Sequence, residues 1–305
     1  MDPTIRKAVF PVAGMGTRFL PATKAMAKEM LPVVDKPLIQ YAVEEAVAAG
    51  IEQVIFVTGR GKRSIEDHFD HQDGLESQLL AKGKDDLARV YREVSDMAEV
   101  IYVRQKQPLG LGHAVWCARH AVGDEPFAVI LPDDLMDAEP GAIGRMKAAY
   151  EASGASQLAV EPVDPADVGS YGVIDPGPFN GETYPVRGLV EKPAPAVAPS
   201  NQSVIGRYIL SPKVFDPLSK GGAGAGGEIQ LTDALQALIT DFGEALQAYP
   251  FTGARFDCGS KLGYLKAQIE FGLRRGEFGS ELADYLRQRL TETAADNGAQ
   301  PVSQR

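Results

Sequence analysis

Two glycines, one residue apart and directly behind a short apolar run, constrain this chain more than any other feature. Lys7 to Val12 (Lys-Ala-Val-Phe-Pro-Val) reads as a buried strand, and it runs into Ala13-Gly14-Met15-Gly16-Thr17-Arg18. So tight a turn needs backbone conformations that glycine reaches at least cost. A loop of this kind after a first strand lets backbone N–H groups approach phosphate oxygens closely. Arg18 adds a planar fork suited to bridging phosphates, with Lys24 and Lys28 following as point charges. Two familiar phosphate loops do not fit. A dinucleotide fingerprint wants a third glycine where Arg18 stands and an acid closing the second strand, but the run Gln53–Val57 ends in Thr58-Gly59. A Gly-x-x-x-x-Gly-Lys-Ser/Thr stretch is also missing at the first strand.

The order of elements points to an α/β protein. Pro37 to Ala49 carries Leu38, Ile39, Ala42, Val43, Ala46 and Val47 on one helical face, with Gly50 as a stop, and the strand Gln53–Val57 closes a βαβ unit. Helices are expected over 64–82 and 85–96, a strand over 99–104, a helix over 113–122 and a fully apolar strand over 127–131. Such alternation implies a doubly wound sheet that binds its ligand at the carboxyl ends of the strands. Past residue 154 the runs 156–163, 172–175, 184–191 and 204–210 read as strands with Pro/Gly-rich connections, which suggests antiparallel additions to the same sheet. Gly221 to Gly227 reads as a flexible run. Then follow a helix over 231–241, strands near 246–249 and 254–257, helices over 261–275 and 277–290, and a polar, frayed and flexible tail over 291–305. This gives one domain over 1–290, with a doubly wound half (about 5–153), a half of antiparallel additions (about 154–260) and C-terminal helices (about 261–290).

Charge narrows the partners. A formal net charge of −10 over 305 residues argues against nucleic acid and anionic membranes, so an anionic substrate must meet a local cationic cluster. The chain has no run of apolar residues long enough to span a bilayer and no cleavage pattern, so it is expected to be cytoplasmic. Cys117 and Cys258 suggest neither a disulfide framework nor zinc, and both read as buried thiols.

Chemistry gathers at strand ends. Asp133 and Asp134 follow the apolar strand 127–131, where a carboxylate pair could hold a hard cation or simply form a solvated turn. Asp257 ends another strand. Glu191-Lys192-Pro193 closes a third and reads either as a sugar-phosphate contact or as an exposed ion pair. Gly172 would let a sugar come close to the backbone. Gln105 can bond the polar edge of a pyrimidine, and Pro108-Leu109-Gly110-Leu111-Gly112 offers glycines against which a ring can lie, or merely caps a helix. Trp116 and the four histidines read as structural or exposed.

Gly14-x-Gly16-Thr17-Arg18-x-Leu20-Pro21-x-Thr23-Lys24 and Lys28-Glu29-Met30-Leu31-Pro32-Val33-Val34-Asp35-Lys36-Pro37 together resemble the signature of the sugar-1-phosphate nucleotidyltransferases, most of all the bacterial UTP–glucose-1-phosphate uridylyltransferases. Ala27 stands where that family usually has proline, a change that removes no charge. The resemblance implies a Rossmann-like, doubly wound mixed sheet of the nucleotide-diphospho-sugar transferase type, with added antiparallel strands and C-terminal helices. It implies UTP and glucose 1-phosphate as substrates and Mg²⁺ as cofactor, with Asp133 and Asp257 as metal ligands. Arg18, Lys28 and Lys192 would be catalytic. Ala13, Gly14, Gly16, Thr17, Glu29, Gln105, Pro108, Gly110, Gly112 and Asp134 would hold the nucleotide, and Gly172, Glu191 and Gly206 the sugar. Glu228 to Asp233 resembles the run that caps the sugar pocket. A homodimer or homotetramer is implied, built through the C-terminal helices. A thymidylyl- or cytidylyltransferase, or a non-catalytic sugar-nucleotide-binding relative, are the alternatives; the presence of every phosphate cation and metal acid weighs against the last.

Overall fold

The computed structural model describes residues 4–71, 73–222 and 224–298. Thirteen strands are present among them: β1 (Lys7–Pro11), β2 (Pro32–Val33), β3 (Lys36–Pro37), β4 (Gln53–Thr58), β5 (Glu99–Arg104), β6 (Phe127–Ile130), β7 (Asp134–Asp137), β8 (Ser156–Pro162), β9 (Gly172–Pro176), β10 (Tyr184–Glu191), β11 (Gln202–Leu210), β12 (Leu246–Pro250) and β13 (Ala254–Asp257). The helices are α1 (Leu38–Ala48), α2 (Arg63–Phe69), α3 (Asp73–Ala81), α4 (Asp85–Ser95), α5 (Leu111–Cys117), α6 (Arg119–Val122), α7 (Ala142–Ser153), α8 (Phe215–Ser219), α9 (Leu231–Thr240), α10 (Lys261–Leu273) and α11 (Gly279–Gly298).

Nine strands form one sheet in the order β5-β4-β1-β6-β11-β8-β12-β10-β9. The first four are parallel, with Val9 opposite Ile55 and Val129, and the direction reverses at β11, which runs antiparallel to β6. Both faces of the parallel half are covered, which is why its strands read as unbroken apolar runs. Val9, Ile55, Val57 and Val129 face a core shared with α5, α8 and α9, while Ala8, Phe10, Phe56 and Ile130 face one shared with α1, α2 and α7. A third, smaller core joins the β2–β3 hairpin, the β7–β13 ribbon and α10 through Leu31, Val33, Leu135, Phe256 and Ala267.

Several expectations need correction. The stretch 64–82 is two helices, because Phe69 is buried against Phe56 and Asp70 leaves the helix to accept a 2.9 Å hydrogen bond from the Tyr102 hydroxyl. The helix expected over 113–122 starts at Leu111 and divides at the buried Ala118. β7, α7 and the β2–β3 hairpin were not anticipated. Residues 291–298 extend α11 rather than fraying, supported by Gln288 and Arg289 on Glu292; residues 299–305 lie outside the described residues. The described part of the glycine run folds back on itself, with Gly224 N–H donating to Glu228 O at 2.8 Å. Cys258 is buried, but Cys117 is only partly so.

Candidate active site

The glycine loop leaves β1 and turns at Gly16, whose φ is 66°. A Cβ there would stand 3.0 Å from the Lys28 Cβ and 3.3 Å from Thr23 Cγ2, so the loop lies directly on the stem of Lys28. Thr23 closes it by donating to Gly16 O at 2.7 Å. Across the loop, Lys28 Nζ donates to Asp133 Oδ2 at 2.6 Å and Arg18 Nη1 to Gly259 O at 3.3 Å. Burial works to lower the Lys28 pKa, but Asp133 and Glu29 outweigh it and hold the ammonium above its ordinary value. For Asp133, burial pushes the carboxyl up, yet Lys28 and its hydrogen bonds prevail and hold it below the usual range.

Asp257 reaches the same place from another element. The β7–β13 ribbon sets it opposite Asp134, and its Oδ1 accepts from Gly259 N–H at 3.0 Å. A Cβ built on Gly259 would meet Asp257 Oδ1 at 2.9 Å and Asp133 Oδ2 at 3.1 Å, so the two carboxylates converge on one point. Among the described residues no third His, Cys, Asp or Glu joins them as a closed cage. Two oxygen donors facing an open cavity fit a hard divalent ion whose remaining positions are filled by water and substrate phosphate.

The opposite wall comes from the antiparallel half. Lys192 has φ 48°, and its N–H donates to Tyr171 O at 2.9 Å while Nζ lies 3.3 Å from Glu191 Oε1. A lysine in the left-handed region is strained, and such residues cluster at functional sites. Thr232, at the start of α9, donates to Glu191 Oε2 at 2.6 Å. Gly172 sits under this pair, since a Cβ there would stand 2.9 Å from Thr232 Oγ1. Gly206 on β11 lies against Asp134, with its Cβ position 2.6 Å from Oδ2.

Between the walls lies a cavity of about 800 Å³. It brings together Gly14, Gly16, Thr17, Arg18 and Lys28 from the glycine-loop side, and Gly172, Glu191, Lys192 and Gly206 from the other. Asp133, Asp134 and Asp257 line its floor. The expected base-binding residues form a separate shell. Gln105 is buried, and its Nε2 donates to Gly110 O at 3.2 Å and to His113 Nδ1 at 2.9 Å, which puts the ring proton on Nε2. Burial lowers the His113 pKa, in keeping with a neutral ring. Gly110 and Gly112 are pressed against the backbone of Ile229 and Gln230 and the Glu228 Cβ, with Gly112 N–H donating to Ile229 O at 2.9 Å. Glu29 is buried, takes a 2.7 Å bond from Lys62 Nζ on Oε2, and has an Oε1 with no hydrogen-bond partner among the described residues. Ala13 packs on Gly59.

Three residues escaped the sequence reading. Arg255 lines the cavity and was legible in principle, lying two residues before Asp257 on the same strand face. Thr232 stood in the 228–233 run without a role of its own. Lys62 gave no signal, because nothing local ties it to Glu29.

Comparison with known proteins identifies the family. Residues 7–271 match the family model described as nucleotidyl transferase. The chain is 51% identical over 283 residues to UTP–glucose-1-phosphate uridylyltransferase 2 of Staphylococcus saprophyticus, covering 93% of this chain and 97% of that one. It is 49% identical to UTP–glucose-1-phosphate uridylyltransferase of Bacillus subtilis, covering 92% and 96%. Among solved structures it superposes on UTP-bound UGPase from Acinetobacter baumannii with a TM-score of 0.83 and 47% identity, covering 92% and 98%. A UDP-glucose pyrophosphorylase complexed with UDP-glucose gives a TM-score of 0.81 at 45% identity, covering 89% and 100%.

Proposed function

The chain belongs to the nucleotidyl transferase family, and from that membership we propose that it transfers the uridylyl group of UTP to α-D-glucose 1-phosphate, giving UDP-glucose and pyrophosphate. The observation that carries the mechanism is the single cavity in which Arg18 and Lys28 face Lys192, with two convergent carboxylates between them.

The sugar phosphate is already an anion near neutral pH, its second pKa being about 6, so its attacking oxygen needs no general base. The work lies in bringing two polyanions together and stabilising charge on the α-phosphate. Gly14 and Gly16 let backbone N–H groups approach the triphosphate. Arg18 spans phosphate oxygens with its fork, and Lys28 follows as a point charge. Lys192, which lines the cavity, takes the sugar phosphate; Glu191, oriented by Thr232, takes sugar hydroxyls over Gly172. Gln105, Glu29 and the Pro108–Gly112 loop hold the uracil. Asp133 and Asp257 would hold Mg²⁺, which when bound offsets charge on the reacting phosphates. Attack in line on the α-phosphate then expels pyrophosphate without a covalent enzyme intermediate.

Two further readings accompany this one. The exposed residues Leu262, Leu265, Ile269 and Leu273 form a stripe along α10, and we assign it to self-association into a dimer or tetramer. A cytoplasmic setting fits two free cysteines and the lack, among the described residues, of any helix long and apolar enough to cross a membrane. The mechanism is tested with Arg18→Ala under single-turnover conditions. UDP-glucose formation should slow on the order of 10²-fold or more, as for loss of one electrostatic donor elsewhere. A near wild-type rate would remove Arg18 from the chemistry.

A further inference from the structure

One ion pair on the cavity floor has no part in the transfer described above. Arg255 precedes Asp257 by two residues on β13, and Asp257 stands opposite Asp134 on β7. Arg255 therefore reaches diagonally across the ribbon to Asp134. Its Nε donates to Asp134 Oδ1 at 2.8 Å, and Nη2 lies 2.6 Å from the same oxygen. Nη1 donates to Glu161 Oε2 at 3.3 Å at the end of β8, and the guanidinium lies 5.5 Å from the centre of the Tyr171 ring. The side chain is only 9% exposed. Oδ2 of Asp134 is meanwhile wedged against Gly206, where even a methyl group would collide. Asp134 is thus held by Arg255 through Oδ1 and packed against Gly206 at Oδ2, although it neighbours Asp133 in sequence and Asp257 across the strand pair.

We propose that Arg255 is a positioning residue that withholds Asp134 from the divalent-ion site, so that the ion binds with the nucleotide instead of in a protein cage. The inference rests on the assignment of Asp133 and Asp257 as ion ligands. Three carboxylates free to converge would form a nucleotide-independent site for a hard cation, and among the described residues, with Asp134 tied to Arg255, these three do not form one. With Asp134 neutralised by Arg255 and Asp133 engaged by Lys28, the protein alone offers too little negative charge, and the phosphates of UTP complete the site. An ion held this way can leave with pyrophosphate. Arginine suits the task because its fork meets Asp134, Glu161 and Tyr171 at once, which a single ammonium cannot do.

The test is Mn²⁺ binding to the full protein without nucleotide, followed by electron paramagnetic resonance of free Mn²⁺, with thermal melting in parallel. Wild type should bind weakly. Arg255→Met should bind about tenfold or more tightly, within the range by which outer-sphere partners alter metal sites. Arg255→Met with Asp134→Asn should return to weak binding, and a double variant that stays tight would overturn the proposal. Arg255→Gln, which can still hydrogen-bond Asp134, covers the case in which the methionine variant does not fold; it should tighten binding severalfold, and wild-type affinity in a folded Gln variant would overturn the proposal. Asp257→Asn in the presence of UTP separates the two claims. Unchanged Mn²⁺ binding there overturns the ion site and the inference with it, whereas weakened binding there with no gain in Arg255→Met overturns only the role of Arg255.

Discussion

Arg207 is the largest of the described side chains to be fully withdrawn from solvent, and it carries a charge. Nε and Nη2 donate to Glu45 Oε2 at 3.0 and 2.8 Å, and Nη1 donates to Leu131 O at 3.0 Å, two residues before Asp133. Glu45 Oε1 accepts from Ile143 N–H at 3.0 Å, so one ion pair ties α1, α7 and β11 to the turn that presents Asp133. Removing one partner strands the other charge in the core. Glu45→Ala should therefore cost about 3–5 kcal/mol of stability, read from urea unfolding. Nothing in the sequence announced this pair. Arg207 sits in a run read as a strand, where only Gly206 was given a role, and Glu45 is not among the residues of the apolar face read for 37–49. Buried ion pairs escape pattern reading because their partners, here 162 residues apart, are joined only by the tertiary fold. Asp133 and Lys192 drew notice because each follows the end of a strand, the edge at which this architecture places ligands, whereas Arg18 and Lys28 were read from the loop motif behind the first strand.

At the scale of elements, the β2–β3 hairpin shows why some structure stayed hidden. Its turn places Val34 at φ 61°, a conformation that a β-branched residue adopts only under compulsion. The usual Asn-Gly or Asp-Gly signal is missing, so the segment read as part of a motif and not as a hairpin. α10 supplies the compulsion. Gln268 Oε1 accepts from Val34 N–H at 2.9 Å, the Tyr264 hydroxyl donates to Pro32 O at 2.6 Å, and Arg275 pairs with Asp35. On the hairpin's other side, the Tyr41 hydroxyl donates to Val33 O at 3.1 Å. Burial pushes Tyr41 up from 10.0 to about 12, with Asp35 and Glu44 adding to the shift against the pull of Arg275. A folded-state pKa raised in this way contributes stability that is fully present below the unfolded value and lost as pH rises through the folded one. Wild type should therefore lose stability between pH 10 and about 12, and Tyr41→Phe should flatten part of that slope in urea midpoints taken across the range. An unchanged slope would remove Tyr41 as its source.

At the scale of the whole molecule, the parallel half was legible because helices intervene between its strands, and the antiparallel half because they do not. The neighbour relations were not legible. β11 lies between β6 and β8, and β12 pairs parallel with β8, Leu246 standing opposite Ser156, pairings that no local pattern encodes. Those pairings bring the two walls of the cavity together. Assembly belongs to this scale too. Leu265 and Ile269 are 57% and 39% exposed on α10, and replacing both by glutamate should lower the mass seen by light scattering. A wild-type monomer at micromolar concentration would remove the self-association reading. Uridylyl transfer is measured directly as pyrophosphate release with glucose 1-phosphate and Mg²⁺, comparing UTP, dTTP, CTP, ATP and GTP at equal concentration. Strong preference for UTP is expected, with UDP-glucose formed in step with pyrophosphate; preference for another nucleotide, or no release from folded protein, would overturn the assignment.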